Sequence, residues 1–182
     1  MGENGGIYSL AGFAYQMKVF VLQILGIKSG YTLEYETIDD VALKMTADDM
    51  DEHEDELCSI LGATNRKAIQ VKKTQVTRSI AKKVVKNWIL ADKKHHDIEN
   101  FILVTDREIS TDILVDLDVD EICEEVKSAT GNKSIDAKIK LIGYTESELV
   151  QKIKDIVSKA SIQKYEDIDA EIIEGFKDYF IK

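Results

Sequence analysis

A chain of 182 residues, 44 % hydrophobic and 32 % charged, can bury one sizeable core and has the composition of an ordinary soluble domain. Its formal net charge of −10 excludes a uniformly basic nucleic-acid binder. No apolar run approaches the ~20 residues of a membrane span, the start MGENGGIYSLAGFAYQ lacks the basic region of a secretory signal, and Cys58 and Cys123 fit no metal-ligand spacing, so a cytoplasmic protein with reduced thiols and no membrane contact is expected.

Proline is absent and no linker or repeat interrupts the chain, which reads as one domain over residues 1–182. SLAGFAYQMKVFVLQILGI predicts a helix, capped by Ser9, ended by Gly26, with Phe13, Met17, Phe20 and Ile24 as its apolar stripe. Gly12 inside it weakens a helix relative to Ala, which points to a close packing contact there. YTLEYE is a short strand. DDVALKMT alternates, with Val41, Leu43 and Met45 on one face, and predicts a second strand. ADDMDEHEDELCSILGATN reads as an acidic insertion, and KAIQVKKT as the third strand. TRSIAKKVVKNWILADKK is an amphipathic helix that buries Ile80, Val84, Val85, Trp88 and Ala91. NFILVT is a fourth strand. Beyond it VDEICEEVKSA is helical, KIKLIGY a fifth strand, ESELVQKIKDIVSKA a helix and DAEIIEGFKDYF a last helix. The fold class is α/β: a mixed sheet with an α-β-β-β-α-β core over about residues 5–106, and a largely helical extension over about 107–182.

Charge is unevenly spread. Residues 1–64 hold 3 basic and 12 acidic side chains, and residues 95–182 hold 11 and 21, whereas residues 66–94 hold 10 basic and one acidic. A local basic stripe on an acidic protein is a selective sign of a nucleic-acid partner. Arg78, Lys82 and Lys86 recur every four residues and fall on one exposed helical row. With Lys73 they form a candidate DNA-binding track along the phosphate backbone. A solvated helix face is the plainer reading of the same row.

The strand AIQVKKT places Gln70 and Lys72 on one face, since side chains two apart point the same way. A buried ammonium needs water or an anionic partner. The segment EYETIDD offers Glu36 at the end of the first strand and Asp39 and Asp40 after a tight connection. If the three strands are neighbours, Asp40, Gln70 and Lys72 converge. Two carboxylates, an amide oxygen and water suit Mg²⁺ or Mn²⁺. Turn chemistry for Asp39-Asp40 and an ordinary polar strand face for Gln70 and Lys72 are the alternatives.

The acid…(D/E/Q)-x-K arrangement on this order of elements resembles the PD-(D/E)XK nuclease superfamily, with its restriction-endonuclease-like fold. The segments GGIYSLAGFAYQ, EYETIDDVAL, AIQVKKT and FILVTD, in that order, resemble more closely the endonuclease domain of CD-NTase-associated anti-phage effectors. Mrr-like restriction enzymes are more distant relatives. The resemblance implies Mg²⁺- or Mn²⁺-dependent hydrolysis of DNA phosphodiesters as the effector step of bacterial anti-phage defence. It implies Asp40 as central metal ligand, Gln70 as a ligand through its amide oxygen where many relatives have Glu, and Lys72 as the lysine that activates water and offsets phosphate charge. Gln16 takes the first-helix position where distant relatives place Glu. Glu36 or Asp39 is the second metal ligand. Such domains are usually joined to a sensor or an oligomerising module, so a partner of that kind or a homo-oligomer is expected. With only Gln at positions 16 and 70, weak metal binding, a single ion or an inactive module that binds DNA or a partner protein are the alternatives.

Other features have plain explanations. His95-His96 end a helix, where histidine suits the negative dipole. DDMDEHEDE lacks the glycine and ligand spacing of an EF-hand loop and reads as a solvated loop, or as a cover for the basic stripe. Trp88 reads as core.

Overall fold

Strand β3 (Arg66–Lys72) is the hub of the architecture, because its side chains alternate between two separate cores. The computed structural model describes residues 4–26, 31–36, 57–62, 66–95 and 98–180. Helix α1 (Asn4–Gly26) leads to β1 (Tyr31–Glu36), β2 (Leu57–Gly62) and β3, then α2 (Arg78–His95) and β4 (Ile98–Thr105). Helices α3 (Val119–Ser128), α4 (Ile135–Ile142) and α5 (Glu146–Ser158) follow, then β5 (Ala160–Lys164) and α6 (Ile168–Phe180). The sheet has the order β1-β2-β3-β4-β5, antiparallel from β1 to β3 and parallel from β3 to β5. It is therefore an α/β fold on a mixed sheet.

One core packs Ala68, Phe101 and Leu103 of the sheet against α2 to α5, with Trp88, Ile122, Ile139, Ile153 and Ile156. Trp88 and Phe101 meet at 5.5 Å between ring centroids, which settles Trp88 as core. The other packs Ile69, Val71, Ile102 and Val104 against Tyr15 and Val19 of α1 and Ile168 of α6. Each fully buried aliphatic side chain contributes roughly 1.5–3 kcal/mol, so both faces anchor the sheet.

The α-β-β-β-α-β order is found, but several elements differ from expectation. The second described strand is Leu57–Gly62, at the end of the segment read as an acidic insertion. Its apolar run LCSILG pairs with both neighbours, which the acidic residues before it concealed. The strand expected over DDVALKMT lies outside the described residues. KIKLIGY is not a strand but the body of α4. Its two-residue alternation is overridden by caps at both ends: Ser134 accepts from the Ala137 amide, and Gly143 takes a left-handed φ of 81°. Leu141, which alternation would bury beside Ile139, is 70 % exposed. The next helix begins with a complete capping box between Thr145 and Glu148. Strand β5 was not expected, since ASIQK holds one large apolar residue. Main-chain pairing creates it, flanked by bonds from the Phe101 amide to the Lys159 carbonyl (3.3 Å) and from the Tyr165 amide to the Thr105 carbonyl (3.0 Å).

Helix α1 starts at Asn4, so Ser9 lies inside it rather than capping it. Among its described side chains Tyr15, Gln16 and Val19 are buried, while Phe13 and Ile24 of the expected stripe are exposed. The helix is apolar on most sides, and periodicity alone could not choose the side that packs. Nor is Gly12 a point of close approach among the described residues: a Cβ there would meet none of them within 4 Å. The close contact is at Gly175 of α6, whose Cβ would lie 3.2 Å from Leu25 Cδ1. Gly12→Ala is therefore expected to stabilise the protein by about 0.5–1 kcal/mol, read as a higher urea midpoint at unchanged slope. A lower midpoint would mean that a packing constraint exists at Gly12 after all.

Candidate active site

Along β3 the face toward α2 carries Ala68, then Gln70, then Lys72. Gln70 is fully buried and Lys72 is 6 % exposed. The Gln70 amide oxygen accepts from Asn87 Nδ2 of α2 at 3.3 Å. Asn87 is itself fully buried, and its Oδ1 has no hydrogen-bond donor. Lys72 has an interaction partner, as a buried ammonium must. Across the parallel ladder Lys72 is aligned with Thr105, also fully buried. These residues sit at the carboxyl ends of the parallel strands, where open α/β sheets usually bind ligands.

Register adds Glu36. It is aligned with Leu57 of β2, Leu57 with Gln70, and Gln70 with Leu103, so the end of β1 and Gln70 share one row across the sheet. Two strand spacings, roughly 10 Å, separate their backbones. The side chain of Glu36 and the whole of Asp39 and Asp40 lie outside the described residues. Among the described residues no group of three His, Cys, Asp or Glu is assembled for a metal. The donors present at this end of β3, the amide oxygens of Gln70 and Asn87, are hard oxygen ligands and fit Mg²⁺ or Mn²⁺ in kind. The carboxylates would come from Glu36 and from Asp39 or Asp40.

The structure does not bring Gln16 onto the face of Gln70. Helix α1 packs on Ile69 and Val71, the opposite side of β3. Gln16 is 7 % exposed in that layer, next to the buried Tyr15. Lys73 follows the same alternation: its Nζ lies 6.0 Å from the centre of the Tyr15 ring. Burial pushes the Tyr15 phenol up, and the nearby charge of Asp106 adds to the shift, so the hydroxyl stays protonated. Neither the Tyr15 hydroxyl nor Asp106 Oδ1 has a hydrogen-bond partner; Arg107 Nε is 3.6 Å from that oxygen.

The row Arg78, Lys82, Lys86 is not a free basic track. Lys82 binds Glu121 at 2.9 Å and also Glu125. Lys86, 6 % exposed, binds Glu125 at 2.6 Å and lies 2.5 Å from Asp136. Arg78 donates to the Asp116 carbonyl at 2.6 Å. Lysines four apart on α2 meet glutamates four apart on α3, so the i, i+4 spacing that suggested a solvent face serves helix packing instead. Hydrogen bonds with Glu125 and Glu121 push the Lys82 ammonium up. Burial alone would raise Glu125, but Lys82 and Lys86 more than reverse this and hold it below the usual carboxylate range. His95 closes α2, and its carbonyl accepts from Arg66 of β3, in keeping with a structural role; His96 lies outside the described residues.

Sequence reasoning missed Asn87, although a lone amide within VVKNWIL is a visible signal. It also missed Thr105, at the end of the segment FILVTD, which comes alongside Lys72 only once the strand register is known. No family model, curated protein or solved structure matches this chain.

Proposed function

We propose that the protein is a metal-dependent DNA endonuclease with a restriction-endonuclease-like fold, serving as the effector of a bacterial anti-phage system. The observation that carries this reading is the placement of Gln70 and Lys72 on one buried face of the central strand, with Gln70 in register, through Leu57, with Glu36 at the end of β1. In this reading Asp40, Gln70 and Glu36 or Asp39 hold Mg²⁺ or Mn²⁺. The ion supplies Lewis-acid stabilisation of the phosphate and an activated water. Lys72 orients that water and offsets developing charge. Lys73, the next residue along the chain, lies on the α1 side of β3, over the Tyr15 ring.

The deciding experiment is incubation of the full chain with supercoiled plasmid and MgCl₂ or MnCl₂, beside an EDTA control. Nicked or linear product that EDTA abolishes supports the reading; intact plasmid with both metals contradicts it. A second reading, a nuclease-fold module that holds a partner protein without cutting DNA, is favoured by one observation: the basic row of α2 is neutralised by Glu121, Glu125 and Asp136 and is not open to phosphate. Plasmid neither bound nor cut with either metal would select it.

A further inference from the structure

We infer that Lys73 and Arg107, just past the carboxyl ends of neighbouring strands, are the cations that contact the DNA phosphate backbone, in place of the basic row of α2. The inference rests on the DNA partner of the reading above and gives that partner a place on the fold. Lys72 is aligned with Thr105 across the parallel ladder. The residues that follow, Lys73 on one side and Asp106 and Arg107 on the other, therefore leave β3 and β4 side by side. They do so at the end of the sheet where open α/β folds bind ligands. Neighbouring strands lie about 4.8 Å apart, so both side chains can address one stretch of backbone.

Other cations around this end are already committed. Arg78 donates to the Asp116 carbonyl at 2.6 Å, Lys82 and Lys86 pair with glutamates, and Lys164 pairs with Glu108 and Glu166. Lys73 is half-buried and makes no ion pair among the described residues. Its Nζ lies 6.0 Å from the centre of the Tyr15 ring, and a ring face attracts an ammonium without neutralising its charge. The Arg107 side chain is 59 % exposed, and its one ion pair is with the preceding residue, Asp106, at 3.6 Å. That is longer than a hydrogen bond, and an exposed contact of this kind is screened by water. The backbone of Arg107 is fixed instead, since its amide donates to Thr105 Oγ1 at 3.1 Å. A planar guanidinium with five donors matches phosphate oxygens, and an anchored backbone has less freedom to lose on binding. The chain as a whole repels DNA, with a net charge of −10, so association depends on cations that carboxylates have not neutralised.

The test is fluorescence anisotropy of a labelled DNA duplex with the full chain, in EDTA and again in CaCl₂, over a range of NaCl concentrations. A thermal melt of each variant accompanies it. Arg107→Ala and Lys73→Ala are each expected to reduce the slope of log K against log salt by about 1, and the double variant by about 2. Arg107→Lys keeps the charge and is expected to keep the slope. Lys67 near the start of β3 and Lys93 near the end of α2 also make no ion pair among the described residues, but they lie at the other end of the sheet. Lys67→Ala and Lys93→Ala are expected to leave the slope unchanged. Wild-type slopes in Arg107→Ala and Lys73→Ala would overturn the inference and leave the nuclease reading to its cleavage assay. Equal losses in all four alanine variants would reveal diffuse attraction to any surface cation and would overturn it too, as would a duplex left unbound in both buffers. A slope lost in Arg107→Ala and Lys73→Ala, with plasmid left uncut by the wild type, would sustain the inference and overturn the nuclease reading.

Discussion

Replacing Lys72 with Ala is expected to lower metal-dependent DNA cleavage by about 10²–10³-fold, the usual cost of removing one preorganised group that stabilises transition-state charge. The ammonium stands at 6 % exposure near the end of β3, where a charge acts through little intervening water. Mn²⁺ affinity should change little, because Lys72 is not a ligand in this scheme, whereas Gln70→Ala should weaken metal binding and cutting together. That split separates activation of water from retention of the ion. Cleavage that persists in the Lys72→Ala preparation at wild-type rate would locate the activity in a contaminant or in another part of the surface.

Lys86→Ala is the largest expected loss of stability, about 2 kcal/mol. Breaking a buried ion pair by deleting one partner costs roughly 3–5 kcal/mol. The value here is smaller because the side chains of Glu125 and Asp136 keep 36 % and 28 % exposure, so water screens part of the unpaired charge. The effect should depend on pH. Glu125 is held below its ordinary value, so its contribution is complete above the unfolded carboxylate value near ~4.3 and disappears as pH falls through the lower folded value. Urea midpoints of wild type and Lys86→Ala should therefore converge in acid. Lys82, pushed up, contributes below the usual lysine range and loses that contribution as pH rises through its folded value. The same network changes what is expected for DNA. Lysines already matched by glutamates release few counterions, so the salt dependence of DNA binding should be the same with or without Lys82 and Lys86. A slope reduced by ~1 per lysine would show that the ion pairs open to phosphate.

Much of the core was legible because its signals are local. The alternation around Gln70 and Lys72, the apolar run of β4 and the amphipathic pattern of α2 each depend on neighbours within a few residues. What escaped depended on partners distant in sequence. Strand β5 exists because β4 has an open edge, and ASIQK alone has too few apolar residues to announce it. Helix α4 carried a strand-like alternation that two capping residues overrule. Lys82 and Lys86 looked solvent-facing until the acidic rows of α3 and α4 came alongside them. For the site, spacing on one strand placed Gln70 beside Lys72. That α1 and Gln16 pack on the Ile69 side of β3 was not legible, because sequence order does not reveal which face of a sheet a helix covers.

The lysine–glutamate seam between α2 and α3 also bears on where this polypeptide can be divided. Ile122, Cys123, Val126 and Ile139 lie beneath it in the same greasy layer as Trp88 and Phe101. Cutting after residue 106 would strip the roof from that layer, expose an unpaired strand edge and abandon two cations beside an oily floor. Residues 107–182 are accordingly masonry and not an appendage, and any fusion or shortened version must carry both parts to inherit a working sheet.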